Sequence, residues 1–274
     1  MEIKAFKMDG LGNDFVIIDQ RSKNYDLNND QIIKICDRKF IGCDQLIYIK
    51  KSHNTDAELE FYNSDGTQSG ACGNGTRCVA YLISKEINKK EILLSTTSGN
   101  LNSKILENEE VETKIGIPKL NWDQIPLSKN LNTKNLNLKL YDNDKNEFHG
   151  GIAVNVGNPH VIFFLENIDN FDLKKIGPEI ENHDLFPERC NVTLAKKIND
   201  NLIKVKVWER GAGLTKACGT AACATAVASN LENLSNSKTE VEFDLGRLSI
   251  NIDENENIYM RGPVSKIKEI NIKL

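Results

Sequence analysis

Two cysteines stand in matching surroundings about half a chain apart. Cys72 lies in the segment ACGNGTRC (71–78) and Cys218 in ACGTAACA (217–224), and each follows a polar loop rich in glycine. Both are predicted to stand at the start of a helix, where unpaired N–H groups and the helix dipole favour a thiolate and can hold a carboxylate. Their separation, 146 positions (218 minus 72), suggests two domains of like design, each presenting one thiol.

A pair of opposed thiols is suited to inverting the configuration at the α-carbon of an amino acid. A thiolate would take the proton from one face while a thiol delivers another to the opposite face, and two groups of one type serve both directions. Helix N-termini would stabilise the charge that builds on the neighbouring carboxylate. A helix terminus would also draw the thiol pKa from roughly 8.5 towards neutrality. The other cysteines are interpreted as small buried hydrophobes: Cys36, Cys43, Cys78, Cys190 and Cys223.

Two other kinds of site compete for the same cysteines. A zinc site is disfavoured because Cys78 and Cys223 do not share a helix face with Cys72 and Cys218, and structural zinc pairs usually stand two to four residues apart. A cysteine hydrolase would need a histidine relay, and it would leave the second cysteine motif without a purpose. A zinc-binding or redox-sensing cysteine protein remains the alternative from a different functional class.

The elements that must position these motifs are mostly short strands. Helices are predicted by apolar spacing and cap residues at 28–40, 73–87, 172–183 and 219–231. Between them, strands are predicted at 2–7, 14–19, 45–50, 57–62, 91–97, 101–106, 110–116, 148–156, 160–165, 190–198, 202–209, 239–244, 247–252, 257–261 and 266–272. The polar stretch 118–137 carries two prolines and little periodicity, so it is predicted to link a domain at 1–118 to a second at 119–263.

Composition limits the class of protein and of partner. The chain has 274 residues, 39% hydrophobic and 27% charged, with a net charge of -4, which gives no reason to expect a nucleic-acid partner. No signal segment or membrane-length apolar run is present, so a cytoplasmic protein without a membrane partner is expected. Seven cysteines in such a chain do not indicate a disulfide framework. No nucleotide or pyridoxal-phosphate motif is present, and no cofactor or metal is expected.

Eight short motifs, in this order along the chain, resemble the diaminopimelate epimerase family. They are GLGNDF (10–15), GCDQLI (42–47), NSDG (63–66), ACGNGTRC (71–78), GNPH (157–160), CNV (190–192), WERGAG (208–213) and ACGTAACA (217–224). Each is weak alone, but the ordered set is specific and spans nearly the whole chain. The resemblance implies cofactor-independent interconversion of LL- and meso-diaminopimelate, in lysine and cell-wall precursor biosynthesis, by two cysteines.

The same resemblance implies a fold and an assembly. The expected fold is α/β (α+β), with two similar domains that each wrap a curved mixed β-sheet around a central helix. The active site is expected in the cleft between the domains. Residues 264–274 are expected to return to the first domain, and the protein is expected to form a homodimer that acts on a small-molecule substrate.

Roles for individual residues also follow from the resemblance. Cys72 and Cys218 are the expected acid/base pair, with His160 near the first and Glu209 near the second to help set thiol protonation. Substrate-binding residues are expected at Asn13, Gln45, Asn63, Gly73, Asn74, Asn158, Asn191, Glu209, Arg210, Gly219 and Thr220. Among them, the backbone amides of Gly73, Asn74, Gly219 and Thr220 are expected to hold the reacting carboxylate. Arg210 can grip a carboxylate with two hydrogen bonds.

This sequence departs from the family pattern at Asp9, Gln68 and Ala221, none of which is an expected acid/base residue. The nearest alternative is a proline or hydroxyproline racemase of the same fold, which keeps two cysteines but has a substrate without a second amino-acid end. Phenazine-type isomerases share the fold and lack the paired cysteines.

Overall fold

The structure of the protein, a computed structural model, describes residues 2–70 and 72–274. Ala71, which belongs to the first cysteine motif, lies outside the described residues, as does Met1. The chain divides into two compact units. The first runs to Lys114 and includes Arg261–Leu274, and the second is Ile115–Met260. Within the described residues no helix has the length and apolar character needed to cross a membrane.

Four α-helices and nineteen strands make up the described chain. The helices are α1 (Asn29–Cys36), α2 (Gly73–Ile87), α3 (Leu173–Glu181) and α4 (Gly219–Leu231), with one 3₁₀ turn at Ile168–Asn170. The strands are β1 (Glu2–Gly10), β2 (Asn13–Asp19), β3 (Gln45–Lys50), β4 (Ala57–Asn63), β5 (Gln68–Ser69), β6 (Glu91–Thr96), β7 (Gly99–Ile105), β8 (Val111–Gly116), β9 (Leu138–Tyr141), β10 (Glu147–Gly150), β11 (Ile152–Asn155), β12 (Pro159–Phe164), β13 (Asn191–Asn199), β14 (Leu202–Glu209), β15 (Gly213–Thr215), β16 (Lys238–Phe243), β17 (Gly246–Ile252), β18 (Ile258–Gly262) and β19 (Lys268–Lys273).

The first unit is a mixed sheet with a helix packed on each face. β1 pairs antiparallel with β2 and with β19, β2 lies parallel to β3, β3 is antiparallel to β4, and β4 lies parallel to β6. Alternate side chains face opposite ways. Phe15 and Ile47 pack towards α2, whereas Val16 and Leu46 pack with the α1 side chains, of which Ile35 is fully buried.

Helix α2 is the central element of the first unit. Ten of its fifteen residues are buried, and it packs against β1, β2, β6 and β7. Gly75 permits the close approach to the sheet, since a Cβ there would stand 2.8 Å from Ile47 Cδ1 and 3.0 Å from Phe61 Cε1. The start of α2, which carries the cysteine motif, therefore packs closely against the sheet.

The second unit repeats the strand order of the first. β11 is antiparallel to β12, β12 lies parallel to β13, β13 is antiparallel to β14, and β14 lies parallel to β16. Helix α4 packs against β11, β12, β16 and β17, and ten of its thirteen residues are buried. Small side chains all round α4 suit a helix enclosed on every side.

Three local predictions differ from the structure. The stretch 118–137 is not a free linker: Ile125, Leu127 and Leu136 are buried in the core of the second unit. Helix α1 ends at Cys36 rather than 40, because the backbone leaves the helical conformation at Asp37, whose ψ is 124°. The predicted strand 148–156 is two strands, broken at Gly151 where φ is +104°.

Candidate active site

Each unit gathers three strand ends beside the start of its central helix. β2 begins at Asn13, β3 begins at Gln45 and β4 ends at Asn63. Because β2 and β3 are parallel and β4 runs the other way, these three ends share one edge of the sheet. The second unit has the same arrangement at the starts of β12 and β13 and the end of β14.

A constant shift of 146 positions relates the two sets. It carries Gln45 to Asn191, Asn63 to Glu209 and Cys72 to Cys218. The first two pairs hold the same places in their strands, at the start of β3 or β13 and at the end of β4 or β14. The two cysteine motifs are therefore equivalent in three dimensions within their own units as well as in sequence.

Cys72 is the N-cap residue of α2, as its motif predicts. Its backbone is extended (φ -141°, ψ 114°) and its side chain does not cap the helix. The first-turn amides of α2 thus lack intrahelical partners and can receive an anion. The Cys72 Sγ lies 3.7 Å from Asn13 Oδ1, and the same oxygen accepts a hydrogen bond from Asn74 Nδ2 at 3.2 Å.

Asn13 is held in this orientation by residues that the sequence analysis did not assign. Asn13 Nδ2 donates to Asp44 Oδ2 at 3.0 Å, and the Asp14 amide donates to the same oxygen at 3.1 Å. Arg38 forms ion pairs with both Asp14 and Asp44. Of these supporting residues, Asp44 could have been found from the sequence, because it lies inside the GCDQLI motif beside Gln45.

Gln45 and Asn63 form a second amide pair at this edge. Gln45 Nε2 donates to Asn63 Oδ1 at 2.9 Å, and Asn63 Nδ2 donates to Thr67 Oγ1 at 3.1 Å. Gln45 Oε1 and Asn74 Oδ1 are buried and accept no hydrogen bond within the described part of the chain. Such oxygens are costly to bury unpaired, and they are suited to accept from a ligand's ammonium group.

Cys218 is the N-cap residue of α4, with a backbone like that of Cys72 (φ -133°, ψ 117°). Its Sγ lies 3.4 Å from Thr220 Oγ1. Burial raises the pKa of the thiol well above its ordinary value, and the neighbouring Glu209 carboxylate raises it further. Burial and Glu209 therefore act on the pKa of Cys218 in the direction opposite to that expected from the helix terminus. Cys218 is a protonated thiol at neutral pH.

The turn after β14 carries Glu209 and Arg210, and Asn191 fixes it. Asn191 Oδ1 accepts from the Arg210 amide at 3.0 Å, while Asn191 Nδ2 donates to the Pro159 carbonyl at 2.9 Å. Arg210 Nη1 donates to the Glu188 carbonyl at 2.9 Å. Asn191 is buried, so its role here is to join the start of β12 to the turn that presents Arg210.

Glu181, at the end of α3, supports the same turn and was not found from the sequence. Its carboxylate accepts from Trp208 Nε1 at 2.7 Å and from the Gly211 amide at 2.9 Å. Helix α3 lies close to this strand, since a Cβ on Gly177 would stand 2.5 Å from the Trp208 ring. A glutamate in a polar helix gives no sequence signal for such a contact.

His160 is fully buried next to Asn158. Its Nε2 lies 2.9 Å from Asn158 Oδ1, which assigns the proton to Nε2. Its Nδ1 has no hydrogen-bond partner within the described residues. Burial and the charge of Arg210 lower the pKa of His160 to about 3, so the ring is neutral and presents an unprotonated nitrogen. It cannot supply positive charge to a thiolate in this state.

The positions that depart from the family pattern have ordinary structural roles. Asp9 Oδ1 accepts from the Gly12 amide at 3.0 Å, in the turn that leads to Asn13. The Asp9 amide also donates to Ser265 Oγ at 2.8 Å, which ties the C-terminal segment to β1. Gln68 is exposed in β5, and Ala221 is buried in the first turn of α4.

We expect Glu209→Gln to shift the titration of Cys218 to lower pH. The substitution removes the carboxylate that raises the thiol pKa while keeping its size and shape. The rate of Cys218 alkylation by iodoacetamide, followed by peptide mass spectrometry across a pH series, measures this midpoint. Glu188→Gln, on the preceding loop, is the matched control. An unchanged midpoint in Glu209→Gln would show that the carboxylate does not act on the thiol.

Comparison with known proteins places the chain in a family. A family model described as diaminopimelate epimerase matches residues 5–120 and 152–267. A diaminopimelate epimerase of Pelagibacter ubique is 70% identical over 274 residues, which cover the whole of both chains. The two matched segments and the repeated strand order confirm the predicted fold class, a mixed α/β protein of two similar domains.

Solved structures of low identity share this fold. A phenazine biosynthesis protein of the PhzF family from Bacillus anthracis superposes with a TM-score of 0.69 at 16% identity, covering all of both chains. A hydroxyproline epimerase from Agrobacterium vitis, solved with bound trans-4-hydroxy-L-proline, gives a TM-score of 0.67 at 10% identity. That match covers 99% of this chain and 92% of the other. At such identities the likeness concerns the fold alone.

Proposed function

This chain belongs to the diaminopimelate epimerase family, and on that premise we propose that it interconverts LL- and meso-diaminopimelate in lysine biosynthesis without a cofactor. The observation that carries the proposal is the pair of equivalent thiols at the N-cap positions of α2 and α4, Cys72 and Cys218. Inversion needs one group that takes a proton and one that gives it, and both residues offer the same chemistry at the same place in their units.

The protonation of Cys218 supports an order of action for the two thiols. Cys218 is protonated at neutral pH because burial and Glu209 raise its pKa, so it acts as the proton donor. Cys72, at the N-terminus of α2, is then the proposed base. The amides of Gly73, Asn74, Gly219 and Thr220 receive the carboxylate on which charge builds when the α-proton leaves.

The polar groups around the thiols suit a substrate with an amino-acid group at each end. The unpaired oxygens of Gln45 and Asn74 can accept hydrogen bonds from an ammonium group. Arg210 can hold a carboxylate, and Glu209 can pair with an ammonium. Asn13, Asn63, Asn158 and Asn191 complete the proposed binding set, with Asn191 acting through the Arg210 turn.

A heavy-water experiment tests the proposed substrate. The purified protein is incubated separately with LL-diaminopimelate and with L-proline in deuterated buffer, and α-deuteration is followed by NMR. We expect deuterium at one α-carbon of diaminopimelate and none in proline. Deuteration of proline alone would favour the proline and hydroxyproline racemase alternative, to which the fold is also similar, and would reject the proposed substrate.

We further propose a cytoplasmic homodimer with its two domains at 1–118 and 119–263, in which residues 264–274 belong to the first domain. The pairing of β19 with β1 supports the last point. The dimer is checked by light scattering after size-exclusion chromatography, where a mass of twice 30.8 kDa is expected. A monomeric mass at micromolar concentration would contradict it.

A further inference from the structure

Cys36 and Cys43 lie together beneath one loop of the first unit. Cys36 is the last residue of α1, and Cys43 lies just before β3. Their Sγ atoms are 3.4 Å apart, and the Cys43 amide donates to the Cys36 carbonyl at 3.2 Å. A disulfide needs an S–S distance of about 2.05 Å and neighbouring main chains. The hydrogen bond holds the two main chains side by side, and the sulfurs must approach from 3.4 Å to bonding distance.

The loop that covers the pair governs access to it. The two cysteines are only 3% and 1% exposed, whereas Asp37, Arg38 and Lys39 between them are exposed. Gly42 has a φ of +77°, and its amide donates to the Ile35 carbonyl at 3.0 Å, which brings the chain back to the end of α1. Because the sulfurs are so little exposed, a small oxidant such as hydrogen peroxide is better suited to reach them than a bulky one.

The two thiols have different tendencies to ionise. The hydrogen bond from Cys43 lowers the pKa of Cys36, and the nearby charge of Arg38 acts in the same direction against the effect of burial. The hydrogen bond to Cys36 and burial raise the pKa of Cys43. Cys36 is therefore the better nucleophile of the pair, and Cys43 is the thiol that stays protonated beside it.

We propose that Cys36 and Cys43 form a reversible disulfide when the protein meets hydrogen peroxide. The Cys36 thiolate attacks one peroxide oxygen, the O–O bond breaks, and Cys36 becomes a sulfenic acid as the other oxygen leaves as water after taking up a proton. The Cys43 sulfur then attacks the Cys36 sulfur, the S–O bond breaks and a second water leaves. In total, two thiols and one peroxide give one disulfide and two waters, and a dithiol reductant reverses the change.

The site adjoins the network that orients Asn13. Cys43 directly precedes Asp44, which holds the Asn13 side chain beside Cys72, and the covering loop contributes Arg38 to the same carboxylate. The disulfide is nevertheless a property of Cys36 and Cys43 alone. It stands or fails independently of the reaction that the protein catalyses.

Peptide mapping tests the proposal on the full chain. Reduced protein is treated with substoichiometric to tenfold hydrogen peroxide, alkylated under denaturing conditions and digested with trypsin. Cleavage after Lys34, Arg38, Lys39 and Lys50 separates the two cysteines, so the disulfide appears as residues 35–38 linked to residues 40–50. We expect this species to accumulate with peroxide and to disappear on reduction with dithiothreitol.

Cys190 provides a matched internal control. It is as buried as the pair, but its Sγ contacts the Ile180 carbonyl at 3.6 Å rather than a second thiol. We expect its peptide, 190–196, to remain alkylated at a dose that links 35–38 to 40–50. Cys43→Ala removes the resolving thiol, and in that variant Cys36 should be trapped by dimedone as its sulfenic acid. The proposal is overturned if both cysteines of the wild type remain fully alkylated while Cys72 or Cys218 is oxidised.

Discussion

Cys72→Ala and Cys218→Ala are each expected to lower the rate of α-carbon inversion by about a thousandfold or more. Each substitution removes one of the two groups that we propose to move protons, and a positioned acid or base contributes roughly 10²–10⁴ in rate. Both helices should still begin at the same residue in the variants, because neither cysteine side chain forms a capping hydrogen bond. Conversion of LL- to meso-diaminopimelate, followed by chiral chromatography, measures the loss.

Cys223→Ala is the control for these variants. Cys223 is buried in α4, five positions beyond Cys218, and its replacement tests whether loss of any thiol from this helix lowers activity. Wild-type turnover is expected for this variant, with thermal unfolding measured for all three. Retention of wild-type turnover by either Cys72→Ala or Cys218→Ala would remove the two-thiol mechanism.

His160 is expected to make the protein lose stability in acid. An unfolded histidine titrates near 6.5, whereas in the folded chain burial and Arg210 lower the pKa of His160 to about 3. The neutral His160 ring therefore stabilises the folded chain fully above pH 6.5. This stabilisation is lost as the pH falls from 6.5 towards 3, since only the unfolded chain takes up the proton. Between pH 7 and pH 4 this amounts to about 3 kcal/mol of unfolding free energy.

The measurement compares urea unfolding at pH 7 and at pH 4 for wild type and His160→Gln. The variant has no imidazole to titrate, so its stability should fall by about 3 kcal/mol less than that of the wild type across this interval. Comparing the change with pH, rather than the stability itself, cancels any packing cost of the substitution. His53→Gln, at an exposed loop histidine, is the control. Equal losses in wild type and His160→Gln would contradict the prediction.

Much of the fold was readable from local patterns. Strands and central helices were predicted close to their observed bounds, because short β-branched runs and small apolar helices have distinct spacing. The N-cap positions of Cys72 and Cys218 followed from the glycine-rich segments before α2 and α4. The polar composition of 118–137 predicts a linker, but Ile125, Leu127 and Leu136 within it are buried in the core of the second unit. Their spacing follows no helix or strand period, so the sequence gives no sign of this burial.

The supporting residues of the site could not be predicted in the same way. Asp44 and Arg38 orient Asn13 through contacts between separate loops, and Glu181 reaches the Arg210 turn from another helix. The raised pKa of Cys218 also depends on its burial and on Glu209, neither of which the local motif reveals. Sequence spacing indicates which residues begin an element, but it does not give the environment that surrounds them.

Equivalent positions in the two units carry different charges, an amide at Asn63 and a carboxylate at Glu209. The two sulfurs therefore differ in their tendency to hold a proton, and the proposed mechanism then starts more readily in one stereochemical direction than in the other. In the proposed two-thiol mechanism, the proton lies on the opposite sulfur after a single inversion, and the protein is then ready to bind the product isomer. In that mechanism, repeated conversion of the same isomer requires the two thiols to exchange their proton through solvent between turnovers. At high substrate concentration this step becomes measurable, because an isotopically labelled isomer is then converted together with the unlabelled one.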